Sequence, residues 1–301
     1  MKAARLLVVF LVSCSLGRPD RERLGDAAWH EARWTDAMAD YRAAGDSPRL
    51  TAKFADAALQ GGSLAESAQA WTKLGADAPE RTAEAAAGLA RVAAAAEHDG
   101  KPAALAQAIV GLSRVAPGWP LGRIASRFGG AGALAPAQTA VVIPAVLAAA
   151  PGRDAIDPLL LALGQADRAR GACDLAVPIL EGVLRRTTNV GLRDSATTAL
   201  GWCELGLGLS ALQTARPGDA ERWFDRAAHR LPQGDVGRRA LVGLGDARLR
   251  QGDTVAARLA WQSLATAAVA PDSLAQLALT RLQALAPIVV PDSGTPHPVR
   301  P

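Results

Sequence analysis

A short pattern of residues returns several times along this chain at fixed internal spacing. Each copy opens with an apolar residue and a glycine. The glycine is followed by a small residue after twelve positions, an aromatic residue or leucine after sixteen, and an apolar residue after nineteen. Four copies keep these offsets: Leu24-Gly25 with Ala37, Tyr41 and Ala44; Leu163-Gly164 with Ala176, Leu180 and Val183; Leu207-Gly208 with Ala220, Phe224 and Ala227; Leu244-Gly245 with Ala257, Trp261 and Leu264. A fifth, Phe54-Ala55 with Ser67, Trp71 and Leu74, keeps them with substitutions. Such self-similarity predicts stacked units that bury their apolar faces against their neighbours.

The residue types within the repeat indicate two antiparallel helices that cross closely. The glycine and the residue twelve positions later are small where the helices approach. The larger side chain one turn further on is expected to fill the space against the next hairpin. Proline, as at Pro79 and Pro232, ends the second helix because it cannot donate to the helical hydrogen bonds. Ser63, Asp219 and Asp253 follow glycines and are predicted to cap second helices.

Composition supports an all-α chain. Half of the 301 residues are hydrophobic, but only 4% are aromatic, and alanine, the best helix former, is abundant. The net charge is +4, and the basic residues, nearly all arginine, are scattered among acidic neighbours. Nucleic-acid binding needs a concentrated stripe of positive charge. We therefore predict a solvated surface of mixed charge and no nucleic-acid partner.

These features make the chain resemble the tetratricopeptide repeat family, most closely over 220–232 and over 251–264. The resemblance implies an all-α, right-handed superhelix (an α-solenoid) of about seven helical hairpins over residues 21–286. The leucines that follow Asp272 are spaced for an amphipathic capping helix, and the proline-rich residues 287–301 are predicted to be a disordered tail.

The chain also departs from the family's pattern. Ala28 and Arg248 stand where the family usually has an aromatic residue in the first helix. The copies over 81–117 and 118–152 are degraded, so a drift toward generic helical-hairpin geometry stays open for residues 118–160.

The N-terminus has the order of an export signal, with basic residues, a short apolar run from Leu6 to Val12, and Ser13 before Cys14. Residues 11–14 resemble the bacterial lipobox, which implies removal of residues 1–13, lipidation of Cys14 and a tether over 14–20. Ser15 in place of aspartate favours the outer membrane, facing the periplasm. Two alternatives are cleavage within residues 15–17 by a general signal peptidase, which gives a free periplasmic protein, and an ordinary apolar helix start.

Cys173 and Cys203 are the other two cysteines. An even number of thiols in an oxidising compartment favours a disulfide. Cys173 is expected near the start of the second helix of one hairpin and Cys203 within the first helix of the next, and these helices are neighbours. The alternative is two buried free thiols.

The resemblance also implies a concave groove, lined by first helices, that holds a peptide or a helix. By position, the residues expected there are Trp202, Leu205, Arg239, Val242, Asp246 and Arg248. Tryptophan and arginine are frequent in binding hot spots. The alternative is that Trp202 belongs to the core and that the arginines are ordinary surface residues.

Nothing in the sequence has the spacing of a catalytic or metal site. The four histidines lie in unrelated contexts, and there is no zinc-type pairing, phosphate-binding loop or nucleophile elbow. We therefore expect a scaffold that binds a protein or peptide of the cell envelope, and no enzyme, cofactor, metal or small-molecule substrate. The alternatives are a non-catalytic accessory or superhelical domain of a peptidoglycan-processing system, and a soluble periplasmic repeat protein without lipid.

Overall fold

The computed structural model describes residues 20–121, 128, 134–149, 152–267 and 272–285. Over these residues it contains fourteen α-helices and no strand. The chain divides into two compact units, residues 1–119 and residues 120–301, which we call unit 1 and unit 2. The predicted signal peptide, Cys14 and the proline-rich tail lie outside the described residues.

Unit 1 is built from three consecutive helical hairpins. Its helices are α1 (Arg21–His30), α2 (Trp34–Ala44), α3 (Pro48–Gln60), α4 (Leu64–Asp77), α5 (Thr82–His98) and α6 (Pro102–Val115), with a short 3-10 turn at Pro79–Arg81. Each helix packs against the next, and α4 also packs against α6. Short connections make successive helices antiparallel.

Unit 2 continues the pattern with α7 (Pro136–Ala148), α8 (Arg153–Ala169), α9 (Cys173–Arg186), α10 (Val190–Gln213), α11 (Pro217–Arg230), α12 (Asp235–Arg250), α13 (Thr254–Ala267) and α14 (Ser273–Ala284). The first helices of its hairpins, α8, α10 and α12, pack side by side, and α14 packs on α12 and α13. The predicted all-α array of hairpins is thus confirmed within each unit. Six hairpins are complete in the described residues. Helix α7 lies where the second helix of the degraded 118–152 copy was expected.

The repeat pattern corresponds to a close helix crossing within each hairpin. A Cβ atom added to Gly208 of α10 would lie 2.6 Å from the ring of Phe224 on α11, and one added to Gly25 would lie 2.6 Å from Tyr41. In these two hairpins only glycine therefore lets the large side chain sixteen positions later lie flat on the first helix. The expectation that this side chain faces the next hairpin was incomplete, because Phe224 is wedged between Gly208 of its own hairpin and Gly243 of the next.

Two of the three predicted turn caps differ from expectation. The Asp253 carboxylate accepts a hydrogen bond from the backbone N–H of Ala256 at 2.8 Å, as predicted. Ser63 makes no capping bond with its side chain. Asp219 lies inside α11, because Pro217 starts that helix at a position that needs no N–H donor. The predicted terminal helix is present as α14, and its N-cap Asp272 accepts from the N–H of Ala275 at 2.9 Å.

Candidate partner-binding surface

One face of α10 is open to solvent along several turns. Trp202, Gly206, Leu209 and Gln213 are exposed and follow one another at intervals of four, three and four residues, so they lie on one side of the helix. Trp202 is 39% exposed and Leu209 is 49% exposed. We call these four residues the α10 stripe.

Two of the six residues predicted to line the groove belong to the core, so that part of the prediction was wrong. Leu205 is 5% exposed and packs in the cluster around Phe224. Val242 is 8% exposed and packs with Trp261, whose indole N–H donates to the Val242 carbonyl at 3.2 Å. Both positions face neighbouring helices of the stack, because the first helices of unit 2 pack side by side.

The three charged residues predicted for the groove are held by carboxylate or guanidinium partners. Arg239, which is exposed, pairs with Asp235 on its own helix at 2.7 Å. Asp246 pairs with Arg281 of α14 at 3.3 Å, and burial raises the pKa of this carboxyl. Arg248 donates to Glu221 on α11 at 2.9 Å, so an ion pair occupies the position where the family usually has an aromatic ring.

A buried carboxylate fixes α10 to the helix that follows it. Glu204 is fully buried and accepts hydrogen bonds from Arg226 at 3.0 Å and from Arg230 at 2.7 and 2.8 Å. These bonds raise the pKa of Arg230. Arg226 also reaches Glu181 of α9. This cluster was not predicted from the sequence, although the four-residue spacing of the two arginines places them on one face of α11.

The two cysteines of unit 2 lie together next to this cluster. Cys173 is the first residue of α9 and Cys203 is a buried residue of α10. Their sulfur atoms are in contact and their Cα atoms are 5.1 Å apart, within the range that disulfides occupy. Cys203 and Glu204 follow Trp202 directly in the sequence. Both therefore hold the segment of α10 that presents Trp202.

Positive charge lies at the C-terminal ends of the neighbouring first helices. Arg250, the last residue of α12, donates to the backbone carbonyl of Leu212 near the end of α10 at 2.8 Å. Arg168 lies in the last turn of α8. Both side chains are exposed, and no carboxylate of the described residues lies within ion-pair distance of either guanidinium.

The first helices of unit 1 present a different surface. Lys53 of α3 pairs with Glu22 and Asp26 of α1 at 2.8 and 2.6 Å, and Arg91 of α5 pairs with Asp56 of α3 at 2.9 Å. Burial alone would raise the pKa of Asp26, but hydrogen bonds from Lys53 and Tyr41 outweigh it and lower the pKa. These charges are already satisfied within the unit.

A cavity of about 210 Å³ opens between α2, α3 and α4 of unit 1. Leu50, Phe54 and Ala70 line its apolar part. The Arg42 guanidinium lies 4.8 Å from the centre of the Phe54 ring and donates to Glu66 at 2.7 Å. Arg42 and Glu66 therefore pair with each other across the opening.

Within the described part of the chain, no cluster of three or more His, Cys, Asp and Glu side chains could hold a metal ion. Among these same residues, no helix has the length and apolar character needed to cross a membrane. His30 and His98 end their helices, and the His229 ring makes polar contacts with Asp225, four residues earlier on α11. His297 lies outside the described residues.

No protein-family profile matches this sequence, and no curated protein matches it. Solved structures that show similarity to this chain include the following two. The human IFIT1 dimer with PPP-AAAA is 13% identical over 85% of this chain, with a TM-score of 0.27, and this chain spans 60% of that protein's length. Yeast Tom70 is 11% identical over 88% of this chain and 94% of its own, with a TM-score of 0.24. The fold described above rests on the hairpins themselves.

Proposed function

We propose that this protein is a non-catalytic adaptor that binds a protein partner through the α10 stripe of unit 2. The observation that carries the proposal is an exposed tryptophan and an exposed leucine on one face of a helix that is fixed from behind. Aromatic side chains on rigid supports dominate the energetics of protein interfaces. The buried Glu204 cluster and the adjacent cysteines hold α10 in place, so binding a partner costs α10 little conformational entropy.

We further propose that the adaptor works in the cell envelope, tethered by lipid on Cys14 and facing the periplasm. The N-terminal order of basic residues, apolar run, small residue and cysteine supports this. A lipid on Cys14 would hold the repeat domain at a membrane surface, since each buried methylene contributes about 0.8 kcal/mol. A partner in the same compartment follows from this location.

Site-specific photo-crosslinking tests the binding surface. A benzoylphenylalanine placed at Gln213, at the end of the stripe, is expected to form an adduct with one envelope protein in living cells. The same group at Gln262, an exposed position on α13, is the control. Trp202→Ala should remove the Gln213 adduct without unfolding the protein, because Trp202 is an exposed residue of α10. An adduct that persists in Trp202→Ala would show that Trp202 does not hold the partner, and an equal adduct at Gln262 would show that the stripe is not the interface.

Intact mass spectrometry of the protein from its own membrane fraction tests the anchor. A chain that begins at Cys14 and carries acyl mass is the expected result. A chain that begins close to Arg18 without acyl mass would make it a free periplasmic protein. An uncleaved Met1 would contradict export.

A further inference from the structure

Gly206 is a glycine in the middle of α10 that the fold does not require. At the other two glycines of this part of the helix a side chain would collide with a neighbour: with Leu231 at Gly201 and with Phe224 at Gly208. A Cβ atom at Gly206 would meet nothing within 4 Å. Glycine weakens a helix relative to alanine, and here no packing contact within the described structure compensates for it.

The missing side chain leaves a saddle on the α10 stripe. Trp202 lies one turn before Gly206 and Leu209 lies one turn after it, and both are exposed. The helix backbone is therefore accessible between two large apolar side chains. Close approach of another backbone is one of the few situations in which glycine is preferred inside a regular element.

The charges around the saddle are unequal at its two ends. Helices α8, α10 and α12 run in the same direction, because each pair is separated by one antiparallel helix. Their C-terminal ends therefore lie on the same side, and Arg168 and Arg250 are exposed there without a carboxylate partner in the described residues. The opposite end of α10 carries one charge of each sign, the exposed Arg193 and Asp194.

We propose that the saddle at Gly206 receives the backbone of an acidic, apolar protein segment. Its apolar side chains lie against Trp202 and Leu209, and its carboxylates face Arg168 and Arg250. The acidic character of the segment follows from charge complementarity to these two guanidinium groups; that of Arg250 donates to the Leu212 carbonyl, and neither forms an ion pair within the described residues. This inference rests on the proposed adaptor function. It adds the chemistry of the partner segment and names Gly206 as the residue at which the segment's backbone approaches α10.

Selection from a phage-displayed library of random dodecapeptides on the immobilised full-length protein tests the proposal. We expect the enriched peptides to carry aspartate or glutamate beside leucine or an aromatic residue. A synthetic peptide of the enriched sequence should bind the Gly206→Leu variant at least about tenfold more weakly, because the leucine side chain would overpack the contact between the peptide and α10. Gln262→Leu, which adds the same side chain to an exposed site on α13, is the control and should bind normally.

Gly206→Ala separates binding from folding. Alanine should raise the thermal unfolding midpoint by about 2 °C, because it favours the helix, and should still weaken peptide binding. Enrichment of basic peptides, absence of any enriched sequence, or unchanged affinity in Gly206→Leu would overturn the proposal. If Trp202→Ala abolishes binding while Gly206→Leu does not, the adaptor surface stands and the saddle fails; if neither matters, both fail.

Discussion

The two units share one repeat but differ in what their first helices present. In unit 1, α1, α3 and α5 are linked by ion pairs that include Lys53 with Asp26 and Arg91 with Asp56. In unit 2, α10 presents Trp202 and Leu209 instead, and its one buried carboxylate, Glu204, points into the stack. The residues that define the repeat specify the hairpin crossing and leave the exposed positions of each helix free to differ. In one repeat array, some first helices can therefore pair their charges with one another while another exposes apolar side chains.

Packing between non-consecutive helices differs in the same way. In unit 1 it is most extensive between the second helices α4 and α6, where a Cβ atom on Gly75 would lie 2.6 Å from Val115. In unit 2 it is the first helices α8, α10 and α12 that pack together. The first helices of unit 2 thus pack in a row, and α10 lies between α8 and α12.

The largest expected effect comes from Glu204, the fully buried carboxylate of α10 in unit 2. Glu204→Ala should lower the free energy of unfolding by about 3–5 kcal/mol, because it leaves Arg226 and Arg230 without their shared partner. The matched change in unit 1, Asp56→Ala, removes a more exposed pair with Arg91 and should cost at most about 1 kcal/mol. Urea unfolding followed by circular dichroism measures both. Equal losses of unfolding free energy in the two variants would show that the two carboxylates contribute equally to stability.

The cysteine pair provides the next largest effect and also belongs to unit 2 alone. The disulfide predicted from the sequence between Cys173 and Cys203 spans 30 residues and should contribute about 2–4 kcal/mol to the free energy of unfolding. Reductant should then destabilise unit 2 while the helices of unit 1, which contain no cysteine, keep their stability. Alkylation of the denatured protein without reductant counts the free thiols. Alkylation at both positions in the denatured, unreduced protein would show that they are not bridged.

A smaller effect distinguishes two tryptophans at the same position of the repeat. The Trp261 indole N–H in unit 2 donates to the Val242 carbonyl, whereas that of Trp71 in unit 1 is buried without a hydrogen-bond partner in the described structure. Trp261→Phe should therefore cost about 1 kcal/mol more than Trp71→Phe, which removes an unsatisfied donor together with its packing. Denaturation curves of the two variants, followed by circular dichroism, provide the comparison. A greater loss for Trp71→Phe would mean that ring packing outweighs the hydrogen bond.

The sequence predicted the parts of the structure that depend on local spacing. Offsets of twelve, sixteen and nineteen residues placed Gly208, Ala220 and Phe224 correctly, because helix periodicity alone determines which residues share a face. The burial of Leu205 and Val242 depends on how closely the first helices stack, which a single repeat does not specify. The Glu204 cluster was missed because its members come from three helices, and Gly206 was missed because nothing in the sequence separates an exposed glycine from a packed one.

The smallest effect concerns the end of the array and its response to acid. The Arg238 guanidinium donates to Asp272, the N-cap of α14, at 2.7 Å, and with the N–H of Ala275 it lowers the pKa of Asp272 to about 2. Since this pKa lies below the ordinary 3.8, the pair contributes stability above about pH 4 that disappears as the pH falls through 2. In Arg238→Gln, an NMR titration should show the pKa of Asp272 rising toward 3.8. It should not rise fully, because the Ala275 N–H still donates. The corresponding change in unit 1 is Lys53→Met. It should likewise raise the pKa of Asp26, because it removes the hydrogen bond that lowers this pKa and leaves the burial that raises it. An unchanged pKa of Asp272 in Arg238→Gln would assign its low value to the helix N-terminus, and α14 would then be held to α12 by apolar packing and by the pair of Asp246 with Arg281.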